Sequence, residues 1–310
     1  MASFVVHHTC GINLIKNLEE MGLNFTEQNK LDFIYGNLIV DSVDKTSSIP
    51  VQTQKIATHF RDLDKLDRII QCPDLNNFLA KYQHLLIEKN YIVLGYYFHL
   101  YTDVMFLKDL FNISFTFLDE DYKKTEFIKD TKYVYLHKNG KIIDYREFLK
   151  KDTDTNVYDD YTTINKIVLE KFNYAFDAEY LLSQTNSFEN PGITEVNANN
   201  ISKVINDTNK FIQESYQRPN KELNVFDINN ILEFIPNVVN SFIGNNQILL
   251  DNYSQCLKQT KKSDNKQIWF SFSIPWQNVI YLLRCMWMKE TSYNKKGNTQ
   301  FCLLGVAYKV

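Results

Sequence analysis

Residues 91 to 111, YIVLGYYFHLYTDVMFLKDLF, constrain the fold most: the run is almost wholly apolar as far as Thr102. A helix without a polar face has to be buried among other elements of a large core. Within it His99 and Asp103 stand four positions apart, so both side chains project from one face and can converge on one ion. A pair at this spacing also serves as a plain hydrogen-bonded couple. Its apolar surroundings single it out, because a buried imidazole and carboxylate are costly unless paired or metal-bound.

The rest of the chain reads as helices around this segment. Nine glycines and six prolines in 310 residues disfavour a turn-rich all-β architecture. Residues 9 to 22 place Ile12, Leu14, Ile15 and Leu18 at helical spacing, with Gly22 as a stop. KLDFIYGNLIVD carries an apolar run that ends on Asp41, and Pro50 breaks the pattern beyond it. DLNNFLAKYQHLLIEK reads as a helix capped by Asp74. Asn139-Gly140 predicts a small β-hairpin near 132–145. Helical spacing resumes with Tyr161, Ile164, Ile167, Val168 and Phe172, and two further helices are expected at about 197–216 and 226–243. The expected fold class is mainly α, a multi-helix bundle with the hairpin inserted. The expected organisation is a metal-binding region over 1–185, C-terminal helices over 186–250 packed on it beyond a loop at Pro191-Gly192, and a tail over 251–310.

In that tail a Lys-rich stretch precedes a segment holding all three tryptophans. Pro275, Gln277, Asn278 and Arg284 interrupt the roughly 20 apolar residues that a membrane span requires. No transmembrane helix is therefore expected, and amphipathic packing is favoured over contact with a membrane interface. A net charge of −3 without a dense Lys/Arg cluster gives no nucleic-acid signal. The N-terminus lacks the pattern of an export signal, and five scattered cysteines without a CxxC fit reduced thiols, so the expected location is cytoplasmic. Any metal must then be held by His and carboxylate.

Three more polar residues stand in apolar settings: His7 after SFVV, Asp41 after GNLIV and His59 before Phe60. His8 adjoins His7 and competes with it as a ligand. His84 reads as a surface or boundary histidine on its helix, and His137 beside the hairpin turn as solvent-facing. The chain has no HExxH, no Walker-type phosphate loop, no GxSxG and no GxGxxG.

In this order, His7, GNLIVD ending in Asp41, THF with His59, and LGYYFHLYTD with His99 and Asp103 resemble the zinc-dependent phospholipase C and single-strand-specific nuclease superfamily. The likeness is to its short cytoplasmic bacterial members and covers about residues 1 to 185. The resemblance implies one zinc on Asp41, His59, His99 and Asp103. It implies a second on Asp103, His7 and the N-terminal amine and carbonyl; with Met1 removed, which the small Ala2 permits, that amine stands five residues before His7. The superfamily's third-zinc histidines are absent. Asp109 stands at the first of those places, and Asp159 or Asp160 in YDDYTTIN offers a further carboxylate, a donor set suited to Mn, Mg or Fe.

Two or more divalent ions, zinc foremost, imply hydrolysis of a phosphate ester by activated water, on a small phosphorylated or phospholipid-like substrate. Asp41 would both ligate and orient the attacking water, and Arg61, when not paired with Asp62 or Asp64, would contact phosphate. The alternatives are a metal-holding scaffold or interaction protein without catalysis, and a different metal-dependent reaction on the same scaffold.

Overall fold

The computed structural model describes residues 2–150, 156–173, 175–219 and 221–254. The expectations for the Lys-rich and tryptophan-rich segments lie outside the described residues.

The first helix starts earlier than the apolar periodicity suggests. α1 spans Phe4–Glu20, because Ser3 accepts the Val6 amide and caps it, and this brings His7 onto the helix. Gly22, at φ +90°, follows the end of α1 as expected. α2 (Glu27–Ile39) is capped by Thr26, α3 is Val51–Thr58, and α4 (Leu75–Ile87) is capped by Asp74, which accepts from Asn76 and Asn77. α5 (Tyr91–Met105) is the apolar segment and is buried on all sides from Ile92 to Val104. A wide π turn, Phe106–Leu110, continues it into the short α6, Phe111–Ser114.

α2 and α5 touch backbone to backbone. A β-carbon on Gly36 would lie 1.9 Å from the Ile92 carbonyl oxygen, and one on Gly95 would lie 2.0 Å from that of Phe33. Any side chain at either position would push the helices apart. The contact fixes the end of α2, where Asp41 follows, against the face of α5 that carries His99 and Asp103.

The hairpin forms as β2 (Tyr133–Leu136) and β3 (Lys141–Asp144), with Gly140 at φ +68° in the turn. A strand not anticipated from the sequence, β1 (Phe115–Leu118), pairs antiparallel with β2 and makes a three-stranded sheet of order β1-β2-β3. The alternating Phe115, Thr116, Phe117 carries the strand signal, but it follows α6 with no intervening punctuation. α7 (Tyr145–Leu149) leaves the sheet. α8 (Val157–Phe172) ends at Asn173 in the left-handed conformation, and α9 is Ala178–Ser183.

Beyond Pro191, α10 (Ile201–Gln217) packs on α2, α8 and α9, and α11 (Ile228–Asn245) packs on α1, α5 and α8. α12 is Gln247–Ser254. Ile205 on α10 and Val238 on α11 share one apolar core with Leu14 of α1 and Phe98 of α5. No helix among the described residues is long and apolar enough to cross a membrane.

Candidate metal centre

Five of the side chains singled out in the sequence meet where α1, α2, α3 and α5 come together. His7 lies on α1, Asp41 just past α2, His59 at the end of α3, and His99 with Asp103 on α5. The chain turns sharply after His59 because Phe60 takes φ +47°, a conformation costly for a large side chain. Phe60 is held there by Phe78, Tyr82 and Tyr96 around its ring.

Asp103 is fully buried and stands between two groups of donors. Its Oδ1 lies 3.2 Å from His7 Nε2 and accepts the main-chain nitrogen of Ala2 at 2.8 Å. Its Oδ2 faces His59 Nε2 and His99 Nε2, each at 3.8 Å. His59 Nε2 is also 3.5 Å from Asp41 Oδ1. Two triads can each close on one ion, His7 with His99 and Asp103, and Asp41 with His59 and His99.

The donor set fits a divalent metal. Asp103 Oδ2 and the Nε2 atoms of His59 and His99 are buried without a hydrogen-bond partner among the described residues. Their opposite ring atoms are engaged: His99 Nδ1 donates to the Asn37 carbonyl at 2.8 Å, and His59 Nδ1 to the Lys55 carbonyl at 3.1 Å. A carbonyl on Nδ1 puts the proton there and leaves the Nε2 lone pair facing the centre, an arrangement typical of metal-ligating histidine.

The electrostatics agree. Burial, and next the neighbouring His7, push His99 down to about 3, so this ring is neutral at pH 7. Burial alone would raise Asp41, but the His59 contact and, in the acid range where this carboxyl titrates, the nearby imidazoles hold it well below the usual carboxylate range. Asp103 is likewise held low against burial, by His7 first. Ionised carboxylates beside a neutral imidazole are the form that binds a metal.

Between His7 and His8 the geometry separates clearly. His8 Nε2 contacts the Ala175 carbonyl at 3.2 Å, its ring edge meets Phe176, and burial pushes it down to about 4. His137 pairs with Thr116 at the sheet, and His84 is exposed on α4. The structure does not bring the two expected outer carboxylates to the centre. Asp109 is exposed in the π turn. Asp160 is buried on α8, and both its oxygens are taken by backbone amides: Asn224 donates to Oδ1 at 2.9 Å, and Val225 and Phe226 to Oδ2 at 2.7 and 2.9 Å. Asp159 pairs with Lys221 at 2.6 Å.

Of the five central residues, Asp41 reaches the wall of a cleft of about 820 Å³. Lys55, Arg61 and Gln71 line the cleft too, together with apolar and aromatic residues that include Phe111, Phe148, Tyr161 and Phe211. Arg61 donates to Gln71 Oε1 at 2.8 Å, and Gln71 is itself anchored by its Nε2 on the carbonyls of Leu66 and Arg68. Asp62, considered as a partner for Arg61, takes Lys65 at 2.6 Å.

No family model matches this chain, and no match was found among curated proteins or solved structures.

Proposed function

We propose that this protein is a metal-dependent hydrolase of phosphate esters, similar in its centre to the zinc-dependent phospholipase C and nuclease superfamily. The observation that supports the reading is the convergence of three imidazoles and two carboxylates, with Asp103 Oδ2 and the Nε2 atoms of His59 and His99 buried and unpartnered among the described residues, beside a cleft that Asp41 lines. One ion would be held by Asp41, His59, His99 and Asp103, and a second by His7 and Asp103 beside the Ala2 main chain. Zinc suits this nitrogen-rich set best; a third, carboxylate-rich site for Mn or Fe has no support, because Asp160 is spent on backbone amides.

Divalent ions there supply Lewis acidity toward a phosphoryl group and make water a nucleophile near neutral pH. The chain's own residues do the rest. Asp41, at the cleft wall, orients the attacking water through a carboxylate oxygen, and the proton of that water passes to solvent. Arg61, fixed by Gln71, holds a non-bridging phosphate oxygen, and Lys55 adds charge of the same sign. The aromatic wall excludes water and suits an ester with an apolar or aromatic substituent. The buried thiol of Cys10 and the half-buried thiol of Cys72 fit a reducing compartment such as the cytoplasm.

The test is metal content by mass spectrometry on protein purified without chelator, followed by hydrolysis of p-nitrophenyl phosphate and bis(p-nitrophenyl) phosphate. The expected result is two equivalents in the parent, loss of both in His99→Ala, and metal-dependent cleavage that Asp41→Asn removes. Less than a tenth of an equivalent of any transition metal after reconstitution would overturn the proposal.

A further inference from the structure

Behind the centre, Asn165 on α8 is completely buried, and its side-chain nitrogen has no hydrogen-bond partner among the described residues. Its oxygen accepts the hydroxyl of Ser3. The direction of that bond follows from the helix cap: Ser3 Oγ accepts the Val6 amide at 3.3 Å, so its proton is free to be donated onward to Asn165 Oδ1. On the other side of Ser3, the Ala2 nitrogen donates to Asp103 Oδ1 at 2.8 Å, the oxygen that also faces His7. A continuous chain of contacts thus runs from Asn165 through Ser3 and Ala2 to Asp103.

The residue type is informative. Leu or Val would avoid burying an unpaired NH2 group, whose desolvation has no return here. Neither would offer Ser3 an acceptor. Asp would accept from Ser3 equally well, but it would place another negative charge behind Asp103. An amide provides the acceptor without the charge and leaves its nitrogen unpaired. Stability alone does not select that combination.

We propose that Asn165 is a positioning residue for the half of the metal centre formed by His7 and Asp103: through Ser3 it fixes the start of α1, and with it Ala2 and His7, against Asp103. The inference rests on the metal reading above. Partners that orient ligands from outside the coordination sphere typically change metal affinity by about 10- to 100-fold when removed.

The experiment is cobalt(II) titration of the full chain, followed by visible absorption, with thermal unfolding of the metal-free protein measured in parallel. The expected result for Asn165→Leu is an unfolding midpoint equal to or above that of the parent, together with about tenfold weaker binding of one cobalt ion and unchanged binding of the other. A residue that merely fills space would move the midpoint and leave cobalt alone. Ser3→Gly breaks the same chain from its other end, with little loss of helix capping, and is expected to reproduce the selective weakening even where the Leu variant fails to fold.

Parent-like affinity for both ions in folded Asn165→Leu or Ser3→Gly would overturn the inference and leave the metal reading standing. A parent that takes up no cobalt would overturn both.

Discussion

The imidazoles of His7 and His99 lie face to face, with ring centroids 3.6 Å apart and planes 6° from parallel. The stack holds His99, which burial keeps neutral at pH 7, flat against the ring of His7. It also places His99 in both triads, with His7 serving one and His59 the other. His7→Ala is therefore expected to lose one of two metal equivalents and His59→Ala the other, measured by mass spectrometry on desalted protein. Equal loss of both ions in both variants would show that a single ion is shared by all five residues.

The candidate centre rests on the glycine contact between α2 and α5, which sets Asp41 against His99 and Asp103. Gly95→Ala forces a methyl group onto the Phe33 carbonyl, and neither backbone can yield without moving Asp41 relative to His99. The expected cost is about 3 kcal/mol, the upper end of core overpacking, with weakened metal binding in the surviving folded fraction. Gly244→Ala on α11, where no described residue lies within 4 Å of an added methyl, serves as the control and is expected to be neutral or slightly stabilising in urea unfolding.

The residues that meet in the centre were legible because each interrupts an apolar run: His7 after SFVV, Asp41 after GNLIV, and His99 with Asp103 inside the most apolar helix of the chain. Asp160 interrupts a helical pattern in the same way, yet it is bound by main-chain amides 64 to 66 residues away, and an amide leaves no mark in the sequence. The choice between His7 and His8 was open for a related reason: it depends on the rotation of α1, which Ser3 sets by capping the helix ahead of its apolar stripe. Nor could Asn165 be found from sequence, since an asparagine in an amphipathic helix is usually solvent-facing, and only the Ser3 contact distinguishes this one.

His8 predicts an acid sensitivity that is separate from the metal. Burial lowers it from the ordinary 6.5 to about 4, with the Ala175 carbonyl opposing, so the unfolded chain binds the proton more readily than the folded one. Its contribution to stability is fully present above pH 6.5 and is lost progressively as the pH falls toward 4. The loss is roughly 3 kcal/mol. Urea unfolding between pH 7 and 4 should therefore be flatter in His8→Phe than in the parent. An unchanged slope would show that His8 does not remain neutral in the folded protein.

Arg61 is held by Gln71 at the cleft wall, and its fork can meet two phosphate oxygens where an ammonium meets one. Arg61→Lys is expected to lower kcat/KM for a phosphate ester about 10- to 100-fold, the range of one charge-assisted hydrogen bond, without changing metal content. Gln71→Ala, which removes one anchor of the guanidinium, should raise KM more than it lowers kcat. A parent-like kcat/KM in Arg61→Lys would remove Arg61 from the substrate site.

Asp160 was expected to ligate metal and instead binds the chain just ahead of α11. Its two oxygens receive the amides of Asn224, Val225 and Phe226, and the ring of Phe226 stacks on Tyr161, its neighbour on α8. Burial raises its pKa despite these three donors. Asp160→Ala would leave buried amides without an acceptor and is expected to cost about 3 kcal/mol or more in urea unfolding. Asp160→Asn keeps one accepting oxygen but turns an NH2 toward donors, so it should fall between the alanine variant and the parent. Both are expected to retain two metal equivalents. Loss of an ion from folded Asp160→Asn would instead return this carboxylate to the metal centre.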